Sequence, residues 1–165
     1  MPGKVMEKVA IFVDVQNIYY TVRERFGTHF NYGYFLKQAT ADRTLSRAIA
    51  YAIDRGDPGQ LNFQQILRNM GFEVKLKPFI QRSDGSTKGD WDVGITVDML
   101  DYAETVDVIV LASGDGDYDL VVERIKQKYG IPVEVFGVPE LTASSLVEAS
   151  TRYFPIDENY LLRKN

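Results

Sequence analysis

Three aspartates alternate along the segment SGDGDYD, residues 113–119, directly after the apolar run VDVIVLA. These are Asp115, Asp117 and Asp119, and carboxylates spaced so closely repel one another. Proteins tolerate that cost mainly where a cation or a transferred proton offsets it. Asp14 ends a second apolar run, VAIFVDV, far away in the chain. Two strand ends that each carry an acidic group predict one shared metal site, and such a site suits phosphodiester hydrolysis.

Two further polar residues extend this acidic constellation. Asn17 follows Asp14 by three positions, so its amide can order a carboxylate or a metal-bound water. Asp92 opens a predicted helix and can point into the same crevice. Hard divalent cations prefer oxygen ligands, and magnesium typically takes one or two carboxylates plus waters and phosphate oxygens. We therefore predict Asp14, Asp92 and Asp115 as the ligands of Mg²⁺ or Mn²⁺.

The acidic segment also allows other interpretations. Asp117 or Asp119 can bind the metal through water or orient the nucleophile, and one of them can be only an N-cap. A calcium loop matches the alternating acids, but Leu120 stands where that loop needs glycine and Lys126 where it needs glutamate. A haloacid-dehalogenase-type phosphatase needs a second Asp where Gln16 stands. A lone Asp at a strand end is commonly a cap, but four or more on crevice positions favour a site.

Bulk composition indicates one globular domain. The chain has 165 residues, enough for a substantial core, and we expect a single domain with a core over about 8–150 and a C-terminal tail packed on it. A formal net charge of −4 argues against a broad basic surface. The chain contains no cysteine, which excludes disulfides and Cys-based zinc sites. The N-terminus lacks the apolar core of a signal peptide, so we expect a cytoplasmic protein without a membrane span.

Strand patterns alternate with helical patterns, which is typical of a parallel α/β sheet. The predicted strands are residues 9–15, 45–53, 72–80, 106–112 and 131–136. The predicted helices are residues 16–26, 31–39, 60–70, 92–103, 120–129 and 142–149. In the helix over 92–103 we expect Val93, Val97 and Leu100 to form the buried stripe. Ligands of open α/β sheets bind at the carboxyl ends of the strands, where the strand order reverses.

Three short motifs together resemble a known family. The segments DVQN (14–17), KGDWD (88–92) and SGDGDY (113–118), with Asp98 after the second, are similar to a NYN domain of the LabA-like group. That group belongs to the PIN-like nuclease superfamily, and the resemblance extends over about residues 9–138. It implies an α/β fold, a Rossmann-like three-layer sandwich with a mainly parallel sheet in the order 3-2-1-4-5.

The resemblance also implies a Mg²⁺- or Mn²⁺-dependent ribonuclease centre. Carried over motif by motif, its residues are Asp14, Asp92, Asp115 and Asp117, with Asn17 beside them. We expect Asp98 and Ser113 to have supporting roles. For Asp98 the reason is that a helix turns it about 120° away from Asp92. Asp119 is less typical of the group, although a strand-end acid followed by another four residues on occurs in related PIN-like nucleases.

Basic and aromatic residues near the motifs are candidates for binding substrate. Lys88 and Arg82 can contact phosphates, with a solvated lysine as the equally weighted alternative for Lys88. Trp91 can stack a base, although a core or interface anchor is its commoner use. Four tyrosines near the crevice can stack single-stranded RNA or simply pack helices: Tyr19, Tyr20, Tyr32 and Tyr34.

Together these features predict a divalent-metal-dependent ribonuclease. The alternative from a different class is a non-catalytic RNA-binding or regulatory NYN domain, and a metal-dependent phosphatase is a further one. RNA is the expected partner. A homodimer, or a protein partner that directs the choice of RNA, is compatible with the sequence.

Overall fold

Eight strands and six α-helices occur in the part of the chain that the computed structural model describes, residues 6–78, 80–81, 87–88 and 91–163. The strands are β1 Glu7–Asp14, β2 Arg43–Asp54, β3 Glu73–Pro78, β4 Ile80–Gln81, β5 Thr87–Lys88, β6 Val108–Ala112, β7 Val133–Gly137 and β8 Arg152–Pro155. The helices are α1 Val15–Phe26, α2 Tyr32–Ala39, α3 Pro58–Met70, α4 Asp92–Ala103, α5 Asp119–Tyr129 and α6 Ser144–Ala149. None of these helices is both long and apolar enough to cross a membrane.

Six of the strands form one parallel sheet in the order β3-β2-β1-β6-β7-β8, and β4 pairs with β5 in a small antiparallel sheet. The five strands predicted from the sequence take the order 3-2-1-4-5 that the resemblance to the PIN-like superfamily implied. β1 lies in the middle, with β2 on one side and β6 on the other. The chain winds outward from β1 in one direction up to β3 and in the other from β6 onward. The strand order therefore reverses between β1 and β6, where a ligand crevice is expected.

Helices cover both faces of the sheet, which gives the three layers. α1, α2 and α3 pack on one face, in a core that includes Ile18, Phe35 and Leu67. α4, α5 and α6 pack on the other, around residues such as Met99 and Ile125. The central strands are buried on both faces, and β6 is buried along its whole length. This explains why β1 and β6 read as continuous apolar runs rather than as alternating ones.

The helix α4 has the predicted bounds but buries a different face. The predicted stripe was wrong at two of its three residues: Val93 is 75% exposed and Val97 is 49% exposed, whereas Leu100 is half-buried against the core. The buried residues are Ile95, Met99 and Ala103, which are spaced four apart and also fit a helical period. Apolar residues lie on two sides of this helix, so periodicity alone could not choose between them.

The C-terminal tail contains a strand that the sequence patterns did not predict. β8 adds a sixth, edge strand beside β7, and Phe154 stacks on Phe136 with ring centroids 4.8 Å apart. Further on, Tyr160 packs against Phe30 and Phe136. β8 has only four residues, so its strand pattern could not be recognised within a tail rich in aromatic residues.

Candidate metal centre

Three carboxylates from distant parts of the chain meet at the crevice between β1 and β6. Asp14 is the last residue of β1, Asp115 lies three residues after the end of β6, and Asp92 is the first residue of α4. Each offers one carboxylate oxygen, and these oxygens all lie within 4.8 Å of one another. The parallel register of β1 and β6 brings the first two together, and the docking of α4 on the sheet brings the third.

Asp14 is the most enclosed of the three, with 7% of its surface exposed. Its Oδ1 accepts the backbone N–H of Asn17 at 3.2 Å and so caps α1. Its Oδ2 accepts the hydroxyl of Tyr118 at 3.1 Å. Burial raises the pKa of the Asp14 carboxyl, and the charge of Asp115 raises it further; hydrogen bonds from Asn17, Tyr118 and Ser113 act in the opposite direction. The charge of Asp14 is therefore costly, and a bound cation would offset that cost.

Asp115 is held by the loop that follows β6. Its Oδ1 accepts the N–H of Asp117 at 2.9 Å, and its own N–H donates to the hydroxyl oxygen of the fully buried Ser113 at 3.1 Å. The N–H of Gly114 donates to the side-chain oxygen of Asn17 at 2.8 Å. Asn17 thus contacts Asp14 through its backbone and the Asp115 loop through its side chain. It connects the two strand ends that carry the acids.

Gly114 allows this loop to pack closely. A Cβ atom added there would lie 2.7 Å from the backbone carbonyl oxygen of Leu141 and 3.1 Å from the Cα of Thr142. Backbone atoms cannot move aside as the end of a flexible side chain can. Steric crowding therefore explains why glycine occupies the second position of the SGDGDYD segment.

Tyr118 belongs to the centre, although the sequence patterns indicated it only as part of a motif. The side chain is fully buried, and its hydroxyl lies 3.1 Å from Asp14 Oδ2 and 3.3 Å from Asp92 Oδ1. Burial raises the pKa of Tyr118, and the charges of Asp14 and Asp92 raise it further, so the hydroxyl stays protonated. An aromatic residue with a polar tip between two acids was the available signal.

Asp117, predicted as a catalytic acid, and Asp119, predicted as a supporting one, lie apart from the three carboxylates. Asp117 is exposed within the short 3-10 helix Gly116–Tyr118, and its backbone rather than its side chain contacts Asp115. Asp119 is half-buried and opens α5. Neither belongs to the group of oxygens that converge within 4.8 Å.

Asp98 has partners of its own on the β3 side of α4. Its Oδ2 accepts the ammonium of Lys75 at 2.7 Å and the hydroxyl of Tyr51 at 2.7 Å. This ion pair is partly exposed, with 32% of the Lys75 side chain and 18% of the Asp98 side chain accessible to solvent. Asp98 therefore secures α4 against β2 and β3.

The predicted phosphate-binding residues are only partly described. Arg82 lies outside the described residues, as does the side chain of Lys88, whose backbone pairs with Ile80. A different lysine contacts the residue before Asp92: the ammonium of Lys77 lies 4.6 Å from the ring centroid of Trp91.

The aromatic side chains divide between packing and exposure. The indole N–H of Trp91 donates to the carbonyl oxygen of Ala52 at 2.8 Å, which anchors the ring. Tyr32 is buried, and Tyr34 packs edge-on against another aromatic ring at 4.9 Å. Tyr19 and Tyr20 are 40% and 50% exposed on α1. Both rings already have aromatic neighbours, because Tyr19 stacks on His29 at 5.7 Å and meets Tyr20 edge-on at 5.4 Å.

Comparison with known proteins agrees with this geometry. The model of the NYN domain family matches residues 8–157. The chain is 28% identical over 161 residues to the low amplitude and bright protein LabA of Synechococcus elongatus, an alignment that covers 92% of this chain and 84% of LabA.

Solved structures give the same assignment of fold. A protein of unknown function from Vibrio parahaemolyticus has a TM-score of 0.93 and 51% identity, over 98% of this chain and all of that one. Ribokinase from Giardia lamblia has a TM-score of 0.50 at 12% identity, over 92% of this chain and 58% of that one, which reflects a shared fold alone.

Proposed function

The chain belongs to the NYN domain family, and from that premise we propose that it is a divalent-metal-dependent ribonuclease acting at Asp14, Asp92 and Asp115. The family and the LabA relative suggest a nuclease-like or RNA-associated function. The observation that carries the proposal is the convergence of these three carboxylates within 4.8 Å at the switch point of the sheet. Phosphodiester bonds of RNA are the substrate that this chemistry suits.

The three residues fit a hard divalent cation. All three offer carboxylate oxygens, which Mg²⁺ and Mn²⁺ prefer. Asp14 is nearly buried beside another acid, and burial raises its pKa, so a bound cation would offset the cost of its charge. When bound, such an ion lowers the pKa of a water molecule and neutralises charge that develops on the phosphate.

The residues of the chain give this centre its shape. Asp14 and Asp115 would hold the ion from two neighbouring strand ends, and Asp92 would hold it from α4. Asn17 keeps the strand ends at a fixed separation through its two hydrogen bonds. Tyr118 donates a hydrogen bond to the nearly buried carboxylate of Asp14. Asp117 or Asp119 would help to position the attacking water.

Binding of the RNA backbone needs positive charge near these acids. Lys77 is suited to it, because its ammonium lies over the ring of Trp91, next to Asp92 in the chain. Lys88 and Arg82 belong to the same region of the sequence and are proposed to extend this basic rim.

The test is cleavage of labelled single-stranded RNA in the presence of Mn²⁺. Asp14→Asn and Asp115→Asn should each lower the rate by more than about 100-fold, which exceeds the 10–100-fold typical of losing a group that only supports a metal ligand. Asp101→Asn is the matched control, because Asp101 is an exposed acid on the same helix as Asp92.

Each outcome of this assay has a meaning. Cleavage that persists unchanged in both variants would place the activity elsewhere or in a contaminant. Hydrolysis of phosphomonoesters without cleavage of RNA would identify a phosphatase instead. Binding of RNA without turnover would identify the non-catalytic alternative.

The charge distribution favours action on RNA that is directed by a partner. Several basic side chains are already paired with acids, including Arg43 with Glu134, Arg47 with Glu73 and Lys75 with Asp98. Together with a net charge of −4, this predicts weak intrinsic affinity for RNA. A protein partner or a second copy of the chain would then direct the choice of RNA.

A further inference from the structure

The hydroxyl of Tyr118 lies between two of the three carboxylates. It is 3.1 Å from Asp14 Oδ2 and 3.3 Å from Asp92 Oδ1, and the side chain is fully buried. A hydroxyl carries one proton, so it donates to one of the two carboxylates at a time. The hydroxyl therefore has two roles: it donates a hydrogen bond to one acid, and it keeps the two acids apart.

The three acids are held by different elements. Asp14 accepts the capping hydrogen bond of α1, and Asp115 accepts one within its own loop. Asp92 enters from the first turn of α4. Tyr118, the residue directly before α5, joins Asp92 to Asp14 across the crevice.

We propose that Tyr118 is a positioning residue that sets the gap between Asp14 and Asp92 and thereby selects a small cation. Mg²⁺ demands near-ideal octahedral geometry at short distances, whereas Ca²⁺ accepts six to eight ligands in flexible arrangements. A rigid pair of carboxylates favours the smaller ion, and a pair that can separate favours the larger one. The inference rests on the proposed metal centre and adds the property of selectivity.

The experiment compares Tyr118→Phe with Tyr51→Phe. Tyr51 is also fully buried, and its hydroxyl donates to the carboxylate of Asp98, outside the group of three, at 2.7 Å. Each variant removes one oxygen from a buried ring and one hydrogen bond to a carboxylate. Binding of Mg²⁺ alone and of Ca²⁺ alone is titrated by calorimetry, at a temperature where melting curves show both variants to be folded.

The expected result for Tyr118→Phe is a loss of Mg²⁺ affinity of about 10–100-fold, the range for groups that support metal ligands. The affinity for Ca²⁺ should fall by a smaller factor, and Tyr51→Phe should leave both affinities at the wild-type level. A smaller loss of Mg²⁺ affinity, an equal loss for both ions, or an equal effect of Tyr51→Phe would overturn the inference.

The outcomes also separate this inference from the proposed function. Wild-type protein that binds neither ion would refute the metal centre and the role of Tyr118 together. Wild-type protein that binds Mg²⁺ with the expected dependence on Tyr118, yet cleaves no RNA, would refute the ribonuclease proposal alone.

Discussion

Replacing Asp14 with Asn should stabilise the protein without metal and abolish its stabilisation by metal. Asn is as good an N-cap as Asp, and its side-chain oxygen can still accept the N–H of Asn17. The change removes a nearly buried charge that lies beside Asp115. In a chelating buffer at neutral pH, Asp14→Asn should therefore melt at or above the wild-type temperature.

The sign of the pH dependence follows from the raised pKa of Asp14. The folded state holds this proton more tightly than the unfolded state, whose pKa is near 3.8. The contribution of Asp14 to the free energy of unfolding should accordingly fall as the pH rises from about that value through the raised pKa, and then level off. Asp14→Asn lacks this contribution, so its advantage over wild type should grow across the same window.

The magnitude with metal can be worked out from linkage. An ion present at 100 times its dissociation constant stabilises the folded state by about 2.7 kcal/mol. For a chain of this size, 1 kcal/mol shifts the melting temperature by about 2–4 °C. Manganese should thus raise the wild-type Tm by about 5–11 °C and leave that of Asp14→Asn nearly unchanged.

The assay is differential scanning fluorimetry with EDTA or with Mn²⁺, and Asp101→Asn serves as the charge-matched control. The order of stabilities should reverse between the two buffers for Asp14→Asn and not for the control. A lower Tm than wild type in EDTA, or an equal shift with manganese, would refute the reasoning.

Two further predictions concern the loop and the basic rim. In a urea titration, Gly114→Ala should lower the free energy of unfolding by about 1–3 kcal/mol, because the new Cβ would lie 2.7 Å from the carbonyl oxygen of Leu141. The same change should weaken Mn²⁺ binding. Gly59→Ala is the control and should not destabilise the protein, because the nearest contact of its Cβ would be 3.4 Å. In an Asp115→Asn background, Lys77→Gln should weaken binding of single-stranded RNA and reduce the salt dependence by about one phosphate contact. Lys128→Gln is the control, because it removes a lysine on α5 whose ammonium lies 5.4 Å from an aromatic ring. RNA binding is measured by fluorescence anisotropy. An equal loss of affinity in both variants would contradict the role of Lys77.

The strand ends could be predicted from the sequence because their signals are local and strong. Continuous apolar runs identify buried parallel strands, and an acid at the end of each lies at a known edge of the sheet. These two signals place Asp14 and Asp115 at one edge of the sheet, and the strand order that the family resemblance implies makes their strands neighbours. The bounds of α4, and with them the place of Asp92, followed from helical periodicity.

The remaining features depend on packing that no local pattern encodes. Which face of α4 is buried depends on its docking to the sheet, because apolar residues lie on two sides of it. The strand β8 forms because an edge of the sheet is available to four residues of a short tail. Tyr118 reaches Asp92 across 26 positions of sequence, so the pair becomes visible only in three dimensions.

Each acid of the centre has a sufficient structural reason when taken alone. Asp14 caps α1, Asp115 caps the 3-10 helix that follows it, and Asp92 lies in the first turn of α4, where a negative charge is favourable. None of these local roles requires the three carboxylates to converge within 4.8 Å, and their mutual repulsion opposes it. Capping alone predicts that Asn is harmless at Asp14 and Asp115, whereas a shared cation predicts that Asn removes metal binding. The convergence, rather than any single aspartate, is therefore the feature that calls for a cation.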